Sequence, residues 1–140
     1  MKETYIKALM VQPMEHPKLV TIQNNLTTFN RLVGIDSYYT NHAEVIIIDR
    51  NIGILRNPEG ALLDLKGNRM VNNEIIAGTF FVISFDEHGF IASLSDENIQ
   101  RYSARFWNTE NFTDREVLMS YWDKFDEELN LLELECSLNL

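Results

Sequence analysis

Thr79-Phe80-Phe81-Val82-Ile83-Ser84-Phe85 is apolar at both phases of a two-residue period. Successive strand side chains point to opposite sides of a sheet, so this segment predicts a central strand covered on both faces. Its neighbours must come from elsewhere in the chain. Tyr5 to Val11 reads as a first strand, ended by Pro13 and Pro17. Val45-Ile46-Ile47-Ile48 and Gly53-Ile54-Leu55-Arg56 read as two more, joined by a turn at Asp49-Arg50-Asn51. Tyr38-Tyr39-Thr40 is also β-rich. Asn57-Pro58-Glu59-Gly60 marks a further turn, Ala61 to Leu65 a short strand closed by Gly67-Asn68, and Glu87-His88-Gly89 a last turn.

Helical spacing occupies the rest. Thr21 is placed to cap a helix with Ile22, Leu26, Phe29, Leu32 and Val33 on one face, ending at Gly34. Ser95 is placed to cap a second, whose Asp96 and Glu97 suit the positive helix end. Thr113-Asp114-Arg115-Glu116 has capping-box spacing, with Phe112 and Val117 at the two hydrophobic-staple positions. That third helix is expected from about Asp114 to the early 130s, followed by a looser acidic tail. It carries Leu118, Tyr121, Trp122, Phe125, Leu129 and Leu132 on one face and Glu116, Asp123 and Glu127 on the other. The expected fold is α+β: a mainly antiparallel sheet of four or five strands, one early helix, and two C-terminal helices packed together or on the sheet.

A chain of 140 residues can bury roughly two thirds of its unfolded surface. With 45% hydrophobic and 24% charged residues it is not a disordered composition, and no linker or repeat divides it. One domain over 1–140 is expected. The lone cysteine, Cys136, excludes an internal disulfide. The longest apolar run, Ile75 to Phe85, falls far short of the roughly twenty residues of a membrane span. The apolar N-terminal stretch is interrupted by Lys7, so a soluble, cytoplasmic protein is expected.

The net charge of −9 is unevenly placed. Residues 1–86 carry eight basic and nine acidic side chains, and residues 87–140 carry four and twelve. An acidic surface repels phosphate backbones and anionic lipids, which disfavours direct nucleic-acid or membrane binding. It suits a basic protein surface. Glu116, Asp123, Asp126, Glu127 and Glu128 are the residues expected to meet one. A nucleic-acid mimic is a poor fit: the stripe from Glu116 to Glu127 carries three charges over roughly 16 Å, where duplex DNA presents roughly nine.

No phosphate-binding glycine loop, nucleophile elbow or metal-ligand cluster is present. His16, His42 and His88 each fall in a predicted loop, and Asp49, Asp64 and Asp86 are ordinary turn formers at strand ends. Neither a cofactor, a metal nor a catalytic residue is expected. Leu65-Lys66-Gly67-Asn68-Arg69 is the one cluster suited to an anion, with Lys66 and Arg69 as its cations. An ion pair of Arg69 with Asp64 or Glu74 competes with that use.

Several segments together carry a resemblance: Lys7-Ala8-Leu9-Met10-Val11-Gln12-Pro13, Asn57 to Leu65 with Asn68-Arg69, Ile75-Ile76-Ala77-Gly78-Thr79-Phe80-Phe81-Val82, and Ser93 to Tyr102. In order and spacing they resemble the domain-of-unknown-function 3846 family over about residues 5–107. Lys66-Gly67 stands where that family commonly has a proline-containing turn. The resemblance implies a family-like core over 1–107, an appended acidic helix and tail over 112–140, and an origin in a phage or mobile element. It implies no activity and no catalytic residues. The expected function is therefore a small non-enzymatic protein-binding module, of the kind that inhibits a basic host protein, as an anti-CRISPR or other anti-defence protein does. The alternatives are a binder or enzyme for a small anionic or nucleotide-derived ligand, using the 66–69 loop, and a self-associating structural protein. The sequence does not fix the oligomeric state.

Overall fold

The computed structural model describes residues 3–36 and 41–138, with side chains described as far as residue 132. Tyr38-Tyr39-Thr40 and the Cys136 side chain lie outside the described residues. Among the described residues eight strands form, β1 (Tyr5–Val11), β2 (Lys18–Gln23), β3 (Glu44–Asp49), β4 (Ile52–Arg56), β5 (Gly67–Val71), β6 (Glu74–Ala77), β7 (Phe80–Phe85) and β8 (Ile91–Ala92). Three helices join them, α1 (Leu26–Leu32), α2 (Asp96–Arg105) and α3 (Asp114–Leu138). The main sheet is antiparallel in the order β2-β1-β7-β4-β3, with β8 also on β7, and β5-β6 is a separate hairpin. The architecture is the expected α+β, with one early helix and two late ones.

β7 sits at the centre, and its alternation divides the core. Phe80 and Val82 point into a cluster with Leu9, Val11, Ile54, Ile76, Tyr102 and Phe106. Phe81 and Ile83 point the other way, into Ile6, Ala8, Ile22, Phe29, Val33 and Leu55. The first face is covered by α2 and the hairpin, the second by α1. All four β7 side chains are buried.

Three local expectations fail. Thr21 does not cap a helix: it lies in β2, opposite Lys7. Val20, Thr21 and Ile22 are β-branched and follow β1 by a short connection, so ladder pairing outcompetes the helical period. The helix starts later, with the side chain of Asn25 accepting the Thr28 N–H at 2.8 Å, and Gly34 closes the segment at φ +80. Ala61 to Leu65 forms turns rather than a strand, its N–H groups returning to Glu59 and Gly60. Gly67-Asn68 closes nothing and instead opens β5. The β5-β6 hairpin turns at Asn72-Asn73, both at positive φ (49 and 67), the geometry a two-residue hairpin loop requires.

The α3 start is as expected. The Thr113 N–H donates to Glu116 Oε1 at 3.0 Å and the Glu116 N–H to Thr113 Oγ1 at 3.1 Å. The Thr113 N–H, and after it the Thr113 hydroxyl, hold the Glu116 carboxyl below its ordinary 4.5. A depressed carboxyl contributes stability above its unfolded pKa and loses it as pH falls through the folded one. The capping box should therefore be intact above pH 4.5 and fail in more acid solution. Carboxyl NMR should show Glu116 titrating below the ordinary range of a glutamate, and Thr113→Val, which removes the hydroxyl and keeps the N–H, should raise it only part of the way. An unmoved titration in that variant would remove the hydroxyl's share and leave the Thr113 N–H as the sole cause within the cap.

Candidate functional site

Helix α3 extends to Leu138, beyond the early 130s, and it packs by an unexpected face. Val117, Ser120, Tyr121 and Lys124, spaced three and four apart, lie on β6 and its surroundings. Val117 is buried with Ala61, Ile75 and Ala77. Its Cγ2 would stand 2.8 Å from a Cβ at position 67, so glycine there lets the helix approach. Ser120 Oγ accepts the Ile75 N–H at 2.9 Å. Lys124 Nζ reaches Glu74 Oε2 at 3.3 Å, and Glu74 Oε1 accepts from Arg56 at 2.5 Å. Arg56 is buried to 8% side-chain exposure and also lies 3.5 Å from Glu44.

This docking opens a groove of about 480 Å³ between the hairpin and α3. Met70, Asn72, Asn73, Glu74 and Ile75 form one wall, and Glu116, Met119, Ser120, Asp123, Lys124 and Glu127 the other. Four carboxylates and one ammonium give the groove a formal −3. Glu116 and Asp123 stand about two helix turns apart along the rim and Glu127 one turn further, and all three are exposed. The arrangement can attract and register cationic side chains.

The five acids predicted to meet a partner do not share one face. Glu116, Asp123 and Glu127 line the groove. Glu128 lines a second concavity of about 280 Å³ beside Arg56, Glu59, Tyr121 and Phe125, and Asp126 is exposed outside both. The predicted anion loop does not form. Lys66 is exposed, whereas Arg69 is fully buried on β5. Its guanidinium donates to the carbonyls of Glu15, Asn68 and Phe106 and to Asn68 Oδ1. Those bonds use all five guanidinium N–H groups, which leaves none for an anion. Neither Asp64 nor Glu74 pairs with it.

The remaining candidates stay apart. His16 stacks on Trp107 with ring centroids 3.9 Å apart, His42 lies beside Asn30, and His88 lies beside Glu87 in a turn. Asp49 accepts the Arg50 N–H and the Tyr102 hydroxyl, and Asp86 accepts the His88 and Phe90 N–H groups. These backbone donors hold both carboxyls below their ordinary range. Among the described residues, no group of three or more His, Cys, Asp or Glu is placed to hold a metal ion. No described helix is long and apolar enough to cross a membrane.

The fold and groove define an α+β domain with an acidic recess between a hairpin and a projecting helix. Residues 6–107 match the model of the family described as Domain of unknown function (DUF3846), and the chain belongs to that family. No curated protein and no solved structure matches it. The match includes the hairpin wall of the groove and ends before α3, so the three rim carboxylates lie outside it.

Proposed function

We propose that this domain is a non-enzymatic protein-binding module that presents the acidic groove of α3 to a basic surface on another protein. The observation that supports this reading is the register of Glu116, Asp123 and Glu127 along a groove held by buried packing and the Glu74–Lys124 pair. Carboxylates carried on an already packed helix meet cations without the cost of ordering a backbone. With a phage or mobile element as the domain's source, the partner would be a host protein, and inhibition of a defence system the consequence of binding.

The test is affinity capture with the intact chain and with E116K/D123K/E127K, followed by mass spectrometry. All three positions are exposed; E116K gives up the capping-box bond from the Thr113 N–H, and the buried packing of Val117 should still hold the helix, which circular dichroism checks. A basic protein retained by the parent chain and lost from the variant supports the reading. Equal recovery by both chains rejects it.

A further inference from the structure

The groove leaves the other long face of α3 without a role. Leu118, Trp122, Phe125, Leu129 and Leu132 follow one another at intervals of four, three, four and three, the spacing of a coiled-coil seam. They are 36%, 48%, 45%, 43% and 58% exposed. Together they place on the order of 400 Å² of apolar surface in water, the scale at which a patch marks an interaction site. At about 100° per residue the stripe is rotated roughly a quarter turn from the Val117–Lys124 row, so the sheet that holds the helix does not cover it. The ring contacts of Trp122 are edge-on to its own neighbours Tyr121 and Phe125, at 5.2 and 5.9 Å.

The flanks of the stripe say what fits it. Asp126 lies on one side and Glu128 on the other, both exposed, and the sequence repeats acid seven residues later at Glu133 and Glu135. A second copy would set acid against acid in either orientation, since a parallel pair joins opposite flanks and an antiparallel pair joins like ones. A helix with lysine or arginine at its flanks finds an opposite charge on both sides. We infer that the Leu118–Leu132 stripe is the seam for an amphipathic helix of a partner protein whose seam is flanked by basic residues. This rests on the protein-binding reading and names the partner's chemistry at a surface distinct from the groove.

Three synthetic peptides test it against the full chain carrying Trp107→Phe, so that Trp122 is the reporting fluorophore. One has a four-three leucine seam with lysine flanks, one the same seam with glutamate flanks, and one the lysine composition scrambled. The lysine-seam peptide should bind with a Kd of about 10 µM or tighter and shift the Trp122 emission to the blue. The other two should bind at least about tenfold more weakly. Leu129→Asp should abolish binding without loss of helicity, and D126K/E128K should transfer the preference to the glutamate-seam peptide.

Equal binding of the scrambled peptide would reduce the effect to bulk charge and overturn the seam. So would a concentration-dependent dimer of the unmodified chain that Leu129→Asp dissolves, because the occupant would then be a second copy. Binding to phosphatidylcholine vesicles through Leu129 in place of the peptide would also overturn it. Failure of the peptide with continued loss of capture in E116K/D123K/E127K removes the seam alone, whereas equal capture by both chains removes the protein-binding reading itself.

Discussion

Arg69→Met is expected to cost about 3–5 kcal/mol of folding stability, the largest effect of any single substitution considered. The guanidinium is wholly buried and is solvated by carbonyl dipoles. Nη2 donates to Glu15 O at 2.7 Å and Phe106 O at 2.9 Å, and Nη1 to Asn68 Oδ1 at 2.8 Å. Asn68 in turn donates to Val11 O at 2.8 Å and Gly78 O at 2.9 Å. The two residues thus join the β1–β2 connection, β5, the approach to β7 and the C-terminal end of α2.

Methionine has nearly the same reach and no donor, so it leaves several carbonyls in an apolar interior without partners. Lysine, with three donors and no fork, should recover only part of the loss. Thermal unfolding should fall by about 10 °C or more for methionine. A loss below about 1 kcal/mol in denaturant unfolding would show that these carbonyls find other donors.

Glu74→Ala is expected to cost about 2–4 kcal/mol and to loosen α3. Its carboxylate lies between Arg56 and Lys124. Removing it leaves a buried guanidinium whose Nε already has no hydrogen-bond partner among the described residues and whose other acid, Glu44, is 44% exposed. A buried charge deprived of its main partner costs more than the pair contributed. Lys124 loses its anchor at the same time. Amide exchange should accelerate from Val117 to Lys124 while β7 stays protected. Arg56→Met combined with Glu74→Leu should restore most of the stability, because the apolar pair leaves no charge stranded. A double variant no more stable than Glu74→Ala would place the loss elsewhere than in the ion pair.

These two arginines mark where sequence reasoning stops. β7 was legible because a strand apolar on both faces has one solution, and the Thr113 capping box because its partners are three residues apart. Arg69 resembled a surface cation because burial of a charge depends on carbonyls supplied from positions 15 and 106, which no local pattern reveals. The β5-β6 hairpin had a readable signal in Asn72-Asn73, since both residues tolerate positive φ. That turn places the wall of the groove. The packing face of α3 was not readable. The most apolar stripe of an amphipathic helix is expected to face the core, yet here Val117, Ser120 and Lys124 do so. Glycine at 67, the Ile75 N–H and Glu74 provide sockets for those three side chains and none for Trp122. The acids at 116, 123 and 127 were found as a stripe, and only the docked helix shows that Asp126 and Glu128 belong elsewhere.

The salt dependence of affinity for the captured partner tests the central claim most directly. Titration of the purified partner with the parent chain should weaken about tenfold between about 50 mM and about 300 mM salt. For E116K/D123K/E127K the affinity at the lower salt should already be about a hundredfold weaker and should no longer fall as salt is added. An affinity indifferent to salt and equal in the two chains would contradict binding through the acidic groove of α3.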